Sequence, residues 1–217
     1  MQNILRPDFE KNVTGSNPHQ ASIEIARLNG TAYAYYINAG TTGPFTASHD
    51  GLIAKDIAQP EIGDIMVDID MFAAPNVNDC ITTMKLSSEA NQVGVIGVCA
   101  GFSGPTFLPA ALSESTVITK NEPSPPDTRQ LKSEYADVPE NYNFIAVNCI
   151  GEGKINVCGQ AGNISVGDLI VASDTQGKGM KQSDDIIRSY TVAKSRENVT
   201  FASADEVKQI ACIYLGG

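Results

Sequence analysis

Apolar and polar residues alternate with a period of two along most of this chain. In "ASIEIARLNGTAYAYYI", Ile23 and Ile25 alternate with Ser22 and Glu24, and Tyr33 and Tyr35 alternate with alanines ahead of Ile37. Asn29-Gly30 lies between the two runs and suits a primed two-residue turn, so the pattern predicts a β-hairpin. The same rhythm predicts strands in "DIMVDID", "DCITTMKL", "QVGVIGVCA", "STVITK", "NFIAVNCI", "KINVCG", "DLIVAS", "SYTVAK" and "QIACIYL". Helical periodicity is scarce; Ser203, followed by Asp205 and Glu206, predicts a single turn. The expected fold is all-β, sandwich or barrel-like, with little helix.

The punctuation of these strands suggests four segments. Residues 1–42 hold the hairpin region, 43–102 a first β half, 103–141 a Pro-rich loop or arm, and 142–217 a second β half. Six of the 11 prolines fall between Pro105 and Pro139, and "NEPSPPDTRQLKSEYADVP" cannot carry regular structure through Pro125-Pro126, which predicts an exposed excursion. The halves echo each other in Gly-Asp turn-strand motifs: "PEIGDIMVDI" matches "ISVGDLIVAS", and each is followed by a Val-rich strand, "VGVIGVCAG" or "SYTVAKSRE". Two explanations stand side by side, an internal duplication and the ordinary turn chemistry of Gly-Asp before an apolar run.

Charge narrows the range of partners. The 217 residues include 25 acidic and 15 basic side chains, a net charge of −10, and the lysines and arginines are scattered. This argues against nucleic acid and anionic membrane as partners. No apolar run approaches the roughly 20 residues of a membrane-spanning helix, and "MQNILRPDFEKNVTG" has neither the basic nor the apolar region of a secretory signal. Without such a signal the four N-x-[ST] matches, at Asn12, Asn29, Asn163 and Asn198, read as chance.

Candidate chemistry is sparse. Five cysteines and two histidines without a C-x-x-C pair do not make a zinc set, and most of the cysteines sit in apolar runs as small hydrophobes. In "VNCIGEGKINVCG" a Gly153-Lys154 hairpin turn would place Cys149 opposite Cys158, where a disulfide would form under oxidising conditions. Gly151, Glu152 and Gly153 read as a tight turn with a solvated carboxylate. "GKGMKQ" lacks the flanking strand and helix of a phosphate loop and reads as a hairpin tip, and neither "DIDMF" nor "SDD" completes a calcium pattern. No metal and no cofactor is assigned.

The stretch "GPFTASHDGLI" places Ser48, His49 and Asp50 side by side. In an extended segment His49 points away from Ser48, while Ser48 and Asp50 share a face but make a poor dyad. His49 remains a candidate base for a hydroxyl brought in by the fold, such as Ser113 or Ser115, and self-cleavage at Ser48 would need a strained peptide and a proton donor. The preferred reading is a turn in which Ser48 or Asp50 caps backbone groups.

The ordered set "GPFTASHDGLI", "IGDIMVDI", "VGVIGVCAG", "AVNCIGEGKINVCG", "GNISVGDLIVASDTQGKGMKQ" and "SYTVAKSRE" resembles the C-terminal domains of bacteriophage tail-fibre and neck-appendage proteins, of the intramolecular-chaperone, autocleavage type. The likeness covers roughly residues 40–217 and is most specific from Gly162 to Glu197. It implies an all-β virion protein, or its assembly factor, that is trimeric and made in the host cytoplasm. Only 42 residues precede Gly43, without a heptad or triple-β repeat, which favours a small virion protein using the fold without the cleavage activity. The leading expectation is a structural component, a fibre, knob or decoration protein, whose partners are itself and other virion proteins. The alternatives are a self-cleaving chaperone for fibre trimerisation, acting as an autoproteolytic endopeptidase through Ser48, His49 and Asp50, and a tip that binds a host receptor or glycan, with the "YAYY" tyrosines stacking on sugars.

Overall fold

The structure is a computed structural model that describes residues 23–26, 32–35, 46–75, 80–102, 108–109, 111–115 and 129–216. Residues 1–45 and 46–217 are separate compact units. In the first unit, β1 (Ile23–Ala26) and β2 (Ala32–Tyr35) pair antiparallel with Ala26 opposite Ala32. That register is one residue off the one a two-residue Asn29-Gly30 turn dictates, and the turn itself lies outside the described residues, as does most of "STVITK".

The second unit is all-β, and its strands close two rings. Four strands, β3 (Thr46–Ala54), β4 (Ile65–Ala73), β5 (Ile81–Leu86) and β6 (Val95–Phe102), lead to the short pair β7 (Ser113–Ser115) and β8 (Arg129–Leu131). After helix α1 (Val138–Asn141) comes β9 (Tyr142–Cys158), followed by β10 (Leu169–Ala172), β11 (Gly179–Lys181), β12 (Thr191–Ser195) and β13 (Val207–Leu215). Strand β3 runs parallel to β5; β5 pairs with β4, β4 with β6, β6 with the first half of β9, and β9 with β3, all antiparallel. The second ring repeats this order. There, β9 runs parallel to β11; β11 pairs with β10, β10 with β12, β12 with β13, and β13 with the second half of β9. Two five-stranded barrels of one topology thus share β9, the last strand of the first and the first strand of the second. Closure leaves few open edges.

Sharing a strand corrects several expectations. "NFIAVNCI" and "KINVCG" are one 17-residue strand, so Gly151, Glu152 and Gly153 are not a turn. Cys149 and Cys158 lie nine positions apart on the same strand, about 30 Å at the usual rise per residue, and all five cysteines are free thiols. The strand continues through Gly153 because that glycine makes room for a side chain instead of a turn. A Cβ there would fall 2.3 Å from Tyr214 Oη, so the bare glycine seats the tyrosine ring. A boundary at residue 142 also fails to separate the halves, since the strand beginning there belongs to both barrels.

Alternation along the strands sorts the core. Ile53, Met66, Met84, Leu86, Cys99, Ile145, Val147 and Cys149, drawn from all five strands, fill the first barrel. The neighbours on the opposite face of β4 and β6, Ile65, Val67, Val95 and Val98, join Ile155, Val157, Ile170, Val192, Ile210 and Tyr214 of the second barrel in one cluster that packs the barrels together. A third cluster covers the end of the first barrel. Its members include Leu131, Tyr135 and Val138 of the Pro-rich excursion, packed near Leu52, Leu112 and Phe144. The described end of that excursion is therefore not a free arm: Val138 is 5% exposed. Apolar residues every few positions in "RQLKSEYADVP" give it a face to bury.

Candidate functional site

Ser48, His49 and Asp50 do not form a turn. They lie within β3, opposite Asn148, Val147 and Ala146 of β9, and all three are exposed. Strand alternation puts Ser48 and Asp50 on the face of Leu52, and His49 on that of Gly51 and Ile53. The antiparallel ladder with β9 keeps the segment extended, and the irregularity between Ala47 and Ser48 is where the register shifts. Ser113, one of the hydroxyls considered as a partner for His49, is buried and donates to the Pro109 carbonyl at 2.7 Å.

The Gly-Asp motifs build the most developed polar structure. In each, the aspartate closes a tight turn on the residue three before it: Asp64 N–H donates to Glu61 O at 3.1 Å and Glu61 N–H to Asp64 Oδ2 at 3.1 Å, while Asp168 N–H donates to Ser165 O at 3.0 Å and Ser165 N–H to Asp168 Oδ2 at 2.7 Å. The glycines before them, Gly63 and Gly167, have φ of +99° and +94°, a region that side chains with a Cβ rarely enter. Each turn then docks on a strand of its own barrel. Gly63 N–H donates to Cys99 O on β6 at 2.9 Å and Cys99 N–H to Asp64 O at 2.7 Å; Gly167 N–H donates to Ser195 O on β12 at 2.9 Å and Ser195 N–H to Asp168 O at 2.8 Å. The shared turn geometry and the shared strand order together make the second half a structural repeat of the first.

Each aspartate also has a lysine, and here the repeats diverge. Asp168 pairs with Lys181 at 2.8 Å in a partly exposed setting; burial works against its charge, but the hydrogen bonds from Lys181 and from Ser165 N–H hold its carboxyl below the usual aspartate range. Asp64 is 3% exposed and pairs with Lys178, from the loop joining β10 to β11. Asn156 of β9 donates to Asp64 Oδ1 at 2.7 Å and in turn accepts from Gln209 at 3.2 Å. Residues of both barrels thus meet around one buried carboxylate. The loop carrying Lys178 makes "GKGMKQ" part of a hairpin, with Gly177 N–H bonded to Ser87 O and Ile65 N–H to Gly177 O.

The depressions among the described residues of this unit include a groove and a cleft. A groove of about 730 Å³ is lined by Phe102, Leu131, Pro139, Tyr142 and Phe144 with Lys55 at its side. A cleft of about 710 Å³ beside the second Gly-Asp turn is lined by Asp168, Lys181, Asp184, Asp185, Lys194 and Leu215. Several of these charges are engaged: Asp184 accepts from Arg188 at 2.6 Å and from Gln182 at 2.6 Å, which holds its carboxyl below the usual aspartate range. Asp68 accepts from Thr82, and among the described residues no group of three His, Cys, Asp or Glu side chains is placed to hold a metal. No helix among the described residues is long and apolar enough to cross a membrane. Asn163 and Asn198 accept from Phe201 N–H and Val166 N–H through their side chains.

Lys178 and Asn156 escape a reading of the sequence because they lie 114 and 92 positions from Asp64. The repeated Gly-Asp is the available signal, and it points to one partner of three. Compared with models of known families, with curated proteins and with solved structures, the chain finds no match. Its class is therefore defined by its own topology: an all-β protein of two repeated five-stranded barrels fused through a common strand.

Proposed function

We propose that this chain is a structural protein of a bacteriophage virion, a tail-fibre, knob or decoration component, acting as a trimer through contacts with its own copies and with other virion proteins. The observation that carries the reading is large apolar side chains exposed on rigid, repeated turns. Ile62 and Val166 occupy equivalent positions before the two Gly-Asp pairs and are 65% and 60% exposed. Both turns are pinned by backbone hydrogen bonds, so covering these side chains with a partner costs little ordering entropy and gains apolar burial. Ile69, Met71 and Phe102 are also exposed. Strand β3 adds a second opportunity: Ser48, His49 and Asp50 are all exposed there, and we assign them as contact residues.

Native mass spectrometry of the purified chain tests the reading, with a trimer as the expected species. Ile62→Asp with Val166→Asp should shift it towards monomer while leaving the CD spectrum unchanged, and His49→Ala should leave the chain as one uncleaved species, like the wild type. A wild-type chain that stays monomeric at micromolar concentration overturns it. Fragments that disappear in His49→Ala would put self-cleavage in its place.

A further inference from the structure

The loop between β10 and β11 delivers one amine into a site built by the first barrel. Lys178 Nζ contacts Asp64 Oδ1, one covalent bond from the carboxyl carbon. The pair is nearly dry, with side chains 13% and 4% exposed. Both partners are also fixed from behind. Ser173 Oγ donates to Lys178 O at 2.8 Å, Gly177 N–H to Ser87 O at 2.9 Å and Ile65 N–H to Gly177 O at 2.8 Å. The loop backbone lies so close that a Cβ on Gly177 would come 3.0 Å from Asp64 Cγ. An amine and a carboxyl held this way react as one molecule, with the entropy of encounter already lost.

Three neighbouring groups supply what a condensation requires. Asn156 Nδ2 donates to Asp64 Oδ1 at 2.7 Å and Glu61 N–H to Oδ2 at 3.1 Å, so charge developing on either carboxyl oxygen meets a fixed donor. The Glu61 carboxylate stands 3.6 Å from Lys178 Nζ and is 82% exposed, placed to take a proton from the amine on the solvent side.

We propose that Lys178 and Asp64 condense into an isopeptide bond that joins the two barrels covalently. The ammonium first passes one proton to the Asp64 carboxylate, giving a neutral amine and a carboxylic acid. The amine lone pair attacks Cγ and forms the C–N bond. Glu61 takes the second N–H proton and returns it to the hydroxyl at Oδ1, the oxygen that Lys178 touches, which departs as water when its C–O bond breaks. Oδ2 remains as the amide oxygen, still accepting from Glu61 N–H. An ammonium and a carboxylate become an amide and one water, with no oxidant or reductant. In bulk water hydration holds such a pair in its charged form. At this site that hydration has been surrendered, so replacing two buried charges by a neutral amide is favoured.

The intact mass of the full chain, measured under denaturing conditions after purification and storage, tests the bond. The expected mass is one water below that of the sequence, and a tryptic digest should contain a branched peptide joining the Asp64 segment to Lys178. Lys178→Arg keeps a cation but cannot form this amide, and should restore the full mass. Glu61→Gln should leave the fold intact and slow the loss of water at least tenfold. Wild-type protein at its full sequence mass overturns the proposal and leaves an ion pair. A loss of water that maps to Asp50-Gly51 as a cyclic imide overturns it equally. Should Lys178→Arg fail to fold, the wild-type digest still decides.

Discussion

Replacing Gly153 by Ala asks whether β9 passes straight beneath Tyr214. A Cβ at this position would lie 2.3 Å from Tyr214 Oη, 2.5 Å from Cε2 and 2.6 Å from Cζ, well inside the contact distance of about 3.5–4.0 Å. The ring cannot move aside freely, because Tyr214 is 3% exposed, packs in the cluster joining the barrels, and donates from Oη to Lys154 O at 2.7 Å. Gly153 is not among the glycines with positive φ, so alanine suffers no backbone strain there. Overpacking costs roughly 1–3 kcal/mol and the broken buried hydrogen bond roughly 1–3, against a gain of about 0.5–1 for removing a strand glycine, a net loss of about 1–5 kcal/mol. Urea unfolding followed by fluorescence or CD measures it as a lower midpoint at unchanged slope. In a Tyr214→Ala background the clash has no partner, and Gly153→Ala should become neutral or mildly stabilising. A Gly153→Ala protein within about 0.5 kcal/mol of wild type, or an equal penalty in both backgrounds, would refute the seat and with it the uninterrupted strand.

Thiol labelling should separate the cysteines: Cys80 is exposed and should react in the folded chain, whereas burial pushes Cys99 and Cys149 up to about 11 and Cys212 up to about 12, so these should label only on unfolding. Acid should destabilise the protein, because the carboxyls of Asp168 and Asp184 titrate lower in the folded chain than the unfolded value of about 3.9. Their contribution is complete above that value and is lost as pH falls through the folded values, so the melting temperature should drop below about pH 4 and Lys181→Met should flatten the drop. Relative to Lys178→Arg, which keeps a cation beside Asp64, Lys178→Met strands the Asp64 carboxylate among buried groups and should cost about 3–5 kcal/mol in the same urea assay, while a near-neutral result would show that the carboxylate finds water.

The strands were legible because a half-buried strand must alternate, and the alternation in "DIMVDID", "QVGVIGVCA" and "QIACIYL" places β4, β6 and β13. The Gly-Asp turns were legible for an equally local reason: a glycine at positive φ followed by an aspartate that bonds its own turn needs only four residues. Local reasoning failed where a glycine answers to a distant residue. Gly153 beside Lys154 has the composition of a hairpin turn, yet it is bare because Tyr214, far along the chain, occupies the space, and a turn expectation at Ser48 to Asp50 gave way to the ladder with β9. The described end of the Pro-rich excursion keeps Ser133, Glu134, Ala136, Asp137 and Pro139 exposed, as its composition predicts, but the choice of Leu52 and Phe144 as neighbours of Leu131, Tyr135 and Val138 is not a local matter. Ring closure, the shared strand and the meeting of Asp64 with Lys178 and Asn156 were decided by tertiary structure alone. Strand propensity and turn chemistry act over a few residues, whereas pairing partners across about a hundred residues are chosen by which faces must be buried together.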